Sequence, residues 1–254
     1  MKKFLVFMLC LALAFSFLGC EMRGYDSEEV KKAGKLLVGV TEFEPMNYKV
    51  DGEWTGFETE FAKLFAKEKL GVEVEFVEIV WSERFQLLED CKIDCIWNGA
   101  SLTEAVKERA DFSKSYIKNA QVIVAKADKI DDYVDGYAIK DLTVVVEEGS
   151  TAQECLERSG QKNVSFVESQ MKALDCVELG EKDIAVVDLT LANAVLGKVK
   201  KYENLKKGFD ISKETCAVGF RKGSDLTEML NDYISEIWDE ELLELANKYD
   251  LTLI

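Results

Sequence analysis

Short apolar runs alternate with amphipathic stretches along most of this chain. Residues 36–40 form the first apolar run, followed by apolar positions at helical spacing within 57–67 and by strand-like alternation over 72–77. The order recurs after residue 140, where the run 142–146 leads into a helix that begins at Gly149-Ser150-Thr151. This alternation predicts an α/β fold with mainly parallel sheets flanked by helices.

The predicted strands and helices fall into two groups. The polar stretch 126–140 separates them, and the last segments, residues 216–220 and two helices within 225–249, supply what a returning chain needs to complete the first group. We predict two lobes joined by two crossings, the first formed by residues 35–117 and 216–254, the second by 118–215. Residues 20–34 are charged, lack apolar periodicity and are predicted to be a tether.

The N-terminus has the features of a secretory signal. Lys2 and Lys3 precede an apolar run over residues 4–18, which ends in Gly19-Cys20. Because this run is shorter than a membrane-spanning helix of roughly 20 residues, residues 1–19 are predicted to be cleaved. Residues 17–20 resemble the lipobox of bacterial lipoproteins, which implies that Cys20 is lipidated and anchors the protein at the outer face of the cytoplasmic membrane. The alternative is a soluble secreted protein in which Cys20 is incidental.

Composition argues against several function classes. The formal net charge of −16 disfavours nucleic acid as a partner. The chain has no histidine and no CxxC pair, so we predict neither a metal site nor another cofactor. The later cysteines are interpreted as small apolar core residues, and the sequence leaves any pairing among them open. These are Cys91, Cys95, Cys155, Cys176 and Cys216.

Several fragments, in their order and spacing, resemble the family-3 extracellular solute-binding proteins, the polar amino-acid receptors of ABC importers. They are residues 35–40 leading to Phe43-Glu44-Pro45, then Gly56-Phe57-Glu58, residues 94–99, residues 110–113, Gly149-Ser150-Thr151 and residues 184–188. The resemblance covers nearly the whole mature chain. It implies a periplasmic-binding-protein fold that closes about hinges at 115–119 and 213–217. It also implies a monomer without catalytic residues that passes an amino acid or related solute to ABC permease subunits.

The resemblance also implies which residues bind the ligand. In open α/β sheets, ligands bind beyond the carboxyl ends of strands, and the fragments end there. The implied ligand-binding residues are the aromatic Phe43 and Trp81, then Asn98, Gly99, Ser101 and Thr103 for the α-amino group, Gly149, Ser150 and Thr151 for the carboxylate, and Asp188 for the ammonium.

Two of these assignments have plainer alternatives. The turn at 149–151 offers unpaired N–H groups and the positive end of a helix dipole to a carboxylate, but its hydroxyls could simply cap the helix. Asp188 ends a buried apolar strand, where an unpaired carboxylate is costly, and a ligand ammonium would pair with it. Asp188 could equally be the N-cap of the next helix, and Thr103 could cap its own.

One position departs from the family pattern. Val106 stands where the family usually has an Arg that binds the ligand carboxylate through two hydrogen bonds. The nearest cation is Arg109, a candidate ligand-binding residue whose long side chain could reach over one helical turn to restore a charged bond, although its direction on the helix differs by roughly 60°. We therefore expect the 149–151 turn to hold the anion unaided, or the ligand to lack an α-carboxylate. Glu42 and Glu44 near the mouth would favour a basic ligand, although exposed glutamates often have no specific role.

Two other functions occur on this fold. One is a periplasmic dehydratase, in which Glu42, Glu148 or Asp188 would act as acid or base. The sequence shows no recognisable catalytic pair and no histidine, so we predict no enzyme activity. The other is a sensor for a signalling partner, and because the sequence ends at Ile254 after its last helix, we expect a stand-alone receptor.

Overall fold

The computed structural model describes residues 25–254. The predicted signal peptide, residues 1–19, and the predicted lipidation site, Cys20, lie outside this range. Within it, every helix is too short or too polar to span a bilayer.

The described chain alternates helices and strands. The helices are α1 (Asp26–Ala33), α2 (Phe57–Phe65), α3 (Arg84–Glu89), α4 (Glu104–Arg109), α5 (Thr151–Ser159), α6 (Gln170–Glu178), α7 (Leu189–Val195), α8 (Leu226–Ile237) and α9 (Leu243–Lys248). The strands are β1 (Lys35–Val40), β2 (Tyr48–Val50), β3 (Glu53–Thr55), β4 (Glu73–Glu78), β5 (Cys95–Ile96), β6 (Asp111–Phe112), β7 (Ile117–Lys126), β8 (Val144–Glu147), β9 (Val164–Val167), β10 (Ile184–Asp188), β11 (Leu205–Cys216) and β12 (Gly219–Phe220). A 3₁₀ turn, Trp81–Glu83, precedes α3, and π-helical turns extend α2 through Ala66–Leu70 and join α8 to α9 over Trp238–Leu242.

Two five-stranded sheets form the centres of two lobes. The first has the strand order β4-β1-β5-β12-β6 and the second has the order β11-β7-β10-β8-β9. β1 pairs in parallel with β4 and β5, and β8 pairs in parallel with β9 and β10. The pairings of β7, β11 and β12 are antiparallel. The two-lobed α/β fold is therefore confirmed, but the sheets are mixed rather than mainly parallel, because β7 and β12 follow the two crossings and run against their neighbours.

Apolar side chains pack on both faces of the sheets. In the first lobe, Phe61 and Phe65 of α2 contact the fully buried Trp97, with ring centroids 5.1 and 6.0 Å apart. In β10, Val186 and Val187 belong to separate cores, since alternate side chains of a strand point to opposite faces. Covering both faces explains why the inner strands are continuous apolar runs.

β7 and β11 form the long antiparallel pair between the lobes. Their register extends from Leu205 opposite Lys126 to Cys216 opposite Ile117. The sequence analysis missed β11, because most of its residues are polar or only half-buried on an edge strand. The predicted lobe boundaries fall at the Ile117–Cys216 end of this pair, where we propose the hinges.

Helix α1 lies in a part of the chain where the sequence predicted no helix. It lies within residues 20–34, the predicted tether, yet Val30 is buried and Asp26 accepts a hydrogen bond from Arg221 Nε at 3.1 Å. The Ser27 N–H donates to Asp225 Oδ1 at 3.0 Å. Hydrophobic periodicity could not reveal this helix, because polar contacts with residues 195 or more positions later hold it.

Candidate functional site

A cleft lies between the two lobes at the carboxyl ends of several strands. Segments that follow β1 and β5 line it from the first lobe, and the ends of β8 and β10 line it from the second. The lining residues are Thr41, Glu42, Phe43, Trp81, Asn98, Gly99, Ser101, Gln121, Glu147, Ser150, Thr151, Gln170 and Asp188.

Most of the predicted ligand-binding residues therefore meet in one place, but Thr103, Arg109 and Gly149 do not line the cleft. Thr103 caps α4, accepting a 3.4 Å hydrogen bond from the Val106 N–H. Arg109 is half-exposed, and its Nη2 lies 3.1 Å from Glu89 Oε1 at the surface. Val106 is buried in a small apolar core with Phe85. Neither position 106 nor position 109 of α4 therefore presents a cation to the cleft.

The Asn98 side chain ties together the two loops of the first lobe. Its Oδ1 accepts hydrogen bonds from the Thr41 N–H at 3.0 Å and from Asn47 Nδ2 at 2.9 Å. Its Nδ2 donates to Thr41 Oγ1 at 2.6 Å, and Asn47 Nδ2 also donates to the Trp97 carbonyl at 2.9 Å. Asn98 thus fixes the loop after β1 against the loop after β5, and a direct bond to ligand from this side chain stays a prediction.

Gly99 occupies the point where the Phe43 ring crosses the loop after β5. Its φ is +61°, and an added Cβ would lie 2.2 Å from Phe43 Cε1, so only glycine fits here. The Gly99 N–H donates to Glu58 Oε2 at 2.6 Å, and the Tyr116 hydroxyl donates to the other Glu58 oxygen. Burial raises the pKa of Glu58 to about 7. Phe43 is a packed wall of the cleft, held by the shape of this loop.

Asp188 places a buried carboxylate at the end of β10. Side-chain amides of Asn119, Gln121 and Gln170 donate to it, with Gln121 Nε2 at 2.9 Å. Burial, and secondarily the Glu214 carboxylate, raises the pKa of Asp188 to about 7. Asp188 stands at the N-cap of α7, but its side chain accepts no capping hydrogen bond. Within residues 25–254 no Lys or Arg forms an ion pair with it, so a cationic group of a ligand could.

Three polar residues of the second lobe line the cleft and were not predicted. Glu147 ends β8, is 5% exposed, and has its pKa raised to about 8 by burial and by Asp188. Gln170 opens α6, and its Oε1 accepts the Asp188 N–H at 2.8 Å. Gln121 lies within β7. The sequence did contain a pattern that could have identified Glu147 as a site residue. Like Asp188, it is a charged residue that ends a run of buried apolar residues.

The turn from β8 into α5 is capped, as the plainer alternative predicted. Ser150 Oγ accepts the Gln153 N–H at 3.2 Å, and the Gly149 N–H donates to Gln153 Oε1 at 2.8 Å. The Thr151 N–H forms no hydrogen bond with any group of the described chain. It lies in the first turn of α5, where unpaired N–H groups and the helix dipole favour an anion. Capping by Ser150 and anion binding by Thr151 are thus compatible.

The lobes touch one another across the cleft. Arg84 Nη2 of the first lobe donates to the Gly149 carbonyl of the second at 3.0 Å, and Nη1 donates to the Trp81 carbonyl at 2.7 Å. The guanidinium lies over the Trp81 ring, 4.3 Å from its centroid. Ser101 Oγ donates to the Glu214 carboxylate on β11. Residues of the predicted site therefore also hold the lobes together.

Comparison with known proteins shows which family has this two-lobed architecture. Residues 36–252 match the bacterial extracellular solute-binding proteins, family 3. The chain belongs to that family. One similar protein is the arginine-binding extracellular protein ArtP of Bacillus subtilis (strain 168), which is 29% identical over 98% of this chain and 97% of ArtP. Another is the L-cystine-binding protein TcyJ of Escherichia coli (strain K12), which is 30% identical over 87% of this chain and 84% of TcyJ.

A solved structure has a similar fold. The P235GK mutant of ArgBP from T. maritima has a TM-score of 0.81 and 28% identity, covering 88% of this chain and 98% of that one. The relatives are amino-acid-binding proteins of ABC transporters, which confirms the resemblance read from the sequence fragments. Between 84% and 98% of the length of each of these proteins is matched, so the likeness includes both lobes.

Proposed function

We propose that this protein is an extracytoplasmic receptor that captures an amino acid and delivers it to an ABC importer. The observation that carries the proposal is the Asp188 carboxylate, which is buried between the lobes and hydrogen-bonded only to amides within the described chain. A buried carboxylate without a cation is costly, and a ligand ammonium would offset that cost. Relatives that bind arginine and L-cystine support an amino acid as the ligand.

The proposed pose uses both ends of the cleft. The α-ammonium would pair with Asp188, and the α-carboxylate would accept the Thr151 N–H at the start of α5. Trp81 would pack against the ligand body, and Ser101 Oγ, which donates its proton to Glu214, would accept a further hydrogen bond. Because Arg109 is paired with Glu89 at the surface, we propose that the turn holds the carboxylate without it.

We also propose that the mature protein is a monomer held by a lipid on Cys20 at the outer face of the cytoplasmic membrane. Support comes from the apolar run that ends in Gly19-Cys20. In cells that express Cys20→Ala, the protein should move from the membrane fraction to the soluble fraction. A variant that stays with the membranes as the parent does would mean that another anchor holds it.

A thermal-shift screen of residues 21–254 against the common amino acids tests the receptor proposal. A ligand that binds only the native state raises Tm, so at least one amino acid should do so at millimolar concentration. An absence of any shift would contradict the proposal. We propose no chemical step, and conversion of arogenate or prephenate by the purified protein would contradict that part.

A further inference from the structure

The ionisable side chains that line the cleft are all acidic. They are Glu42 at the end of β1 and Glu147 and Asp188 at the ends of two neighbouring strands, whereas the described lining contains no Lys or Arg. Arg84 is near Glu147, but its guanidinium donates to the carbonyls of Trp81 and Gly149. A ligand with one ammonium would neutralise Asp188 and leave Glu147 with Arg84 as a nearby cation but without a direct ion pair.

Glu147 and Asp188 form a coupled pair. Both are buried, with 5% and 6% exposure, and the Gln170 amide hydrogen-bonds to each carboxylate. Each lies in the second lobe, on β8 and β10, which pair directly in the sheet. The Asp188 charge contributes to raising the pKa of Glu147, so the two carboxylates repel one another when both are ionised and their environment favours added positive charge.

Gln121 provides a separate indication of what the cleft lacks. Its Nε2 donates to Asp188 at 2.9 Å and to Glu214 at 3.1 Å, which uses both amide protons. Its Oε1 is buried and accepts no hydrogen bond from the described residues, although Gln121 is only 1% exposed and lines the cleft. A buried acceptor without a donor is costly. The site therefore has a place for a hydrogen-bond donor in addition to the group that pairs with Asp188.

We infer that the cleft selects an amino acid with a second cationic group, and that Glu147 is the residue that recognises that group. This inference rests on the proposed function and specifies its ligand class. The α-ammonium pairs with Asp188, and the side-chain cation pairs with Glu147, with an N–H donated to Gln121 Oε1. A neutral side chain leaves Glu147 and Gln121 Oε1 unpaired.

The test compares L-arginine with L-citrulline, a neutral analogue of nearly the same shape, by titration calorimetry at pH 8. In the parent protein, L-arginine, L-lysine or L-ornithine should bind at least 30-fold more tightly than L-citrulline and L-glutamine. Glu147→Gln should reduce that ratio at least tenfold and leave L-citrulline binding within threefold. Glu168→Gln is the matched control, since Glu168 is exposed and off the cleft, and should leave the ratio unchanged.

The possible outcomes distinguish failure of this inference from failure of the proposed receptor function. Two results would overturn the inference and leave the receptor proposal standing. One is equal affinity of the parent protein for neutral and cationic amino acids, and the other is an unchanged ratio of the two affinities in a folded Glu147→Gln variant. If no amino acid binds the parent protein, both fail. Unaltered melting of Glu147→Gln would show that its effect on binding does not come from loss of fold.

Discussion

Arg84 Nη2 in the first lobe donates a hydrogen bond to the Gly149 carbonyl in the second lobe at 3.0 Å. Burial lowers the pKa of Arg84 to about 10, which still keeps it charged at neutral pH. Gly149 has a φ of +75°, and a Cβ there would lie 3.0 Å from Ser82 Cα, so a side chain would separate the lobes at this contact. The contact between the lobes is therefore made at the same turn that is proposed to bind the ligand carboxylate.

Removing the Arg84 side chain should weaken ligand binding. A hydrogen bond from a charged donor contributes about 1.5–3 kcal/mol, so Arg84→Ala should raise Kd by about 10- to 100-fold. Arg109→Ala is the matched control, because its ion pair with Glu89 is at the surface, and its Kd should change less than threefold. Equal losses in the two variants would show that Arg84 has no specific part in closure.

Ligand should make the particle more compact. The two lobes are joined through β7 and β11 alone of the described strands, and contacts such as Ser101 to Glu214 form only where the lobes approach. Small-angle scattering of residues 21–254 should give a smaller radius of gyration at saturating ligand. The same radius with and without ligand would argue against hinge closure or for a protein whose lobes are already closed without ligand.

Gly99→Ala should destabilise the fold more than a glycine replacement in open space. Gly160 has a similar positive φ with nothing within 4 Å of an added Cβ, so Gly160→Ala should cost only the backbone term of about 1–2 kcal/mol. At Gly99, overpacking against Phe43 should add about 1–3 kcal/mol. Urea unfolding of both variants measures the difference, and equal losses would mean that Phe43 moves aside freely.

The stability of the ligand-free protein should fall as pH rises from 5 to 8. The pKa values of Glu58 and Asp188 are raised to about 7, and that of Glu147 to about 8, so the native state holds protons that the unfolded chain has released. Each group can contribute a slope of up to about 1.4 kcal/mol per pH unit. Urea unfolding at pH 5, 6.5 and 8 tests this.

A variant and a ligand give the controls for this pH dependence. Glu147→Gln should reduce the fall in stability across the whole range from pH 5 to 8, because the native variant lacks one carboxyl that holds a proton which the unfolded chain has released. Binding of a cationic amino acid should strengthen over the same range, since the ionised carboxylates are the forms that bind a cation. Stability that rises steadily from pH 5 to 8 in the ligand-free protein would contradict the account.

The sequence predicted most of the architecture because burial on both faces leaves a strong pattern. The valines of β8 could be read directly, as could the strand-ending Asp188 and the turn that Ser150 caps. β11 and α1 were missed because edge position and polar contacts, rather than apolar periodicity, hold them.

Parts of the site were beyond sequence reasoning for a different reason. The Arg84 bond to Gly149 joins residues 65 positions apart and exists only where two lobes meet. The orphaned Oε1 of Gln121 depends on where its amide protons are used, which a residue pattern does not encode. Helix geometry alone left open whether Arg109 reaches the cleft, and the structure shows its ion pair with Glu89 at the surface.

The most direct test of the receptor account is titration calorimetry of parent and Asp188→Asn with the amino acid that gives the largest shift in the thermal screen. Loss of a desolvated charge partner costs on the order of 2–5 kcal/mol, so Kd should rise by more than tenfold while the melting profile shows a folded protein. Asp183→Asn, which replaces an exposed carboxylate near the other end of β10, is the control and should bind as the parent does. Asp188→Asn that binds with the parent's affinity would contradict the central claim that this carboxylate receives the ligand ammonium.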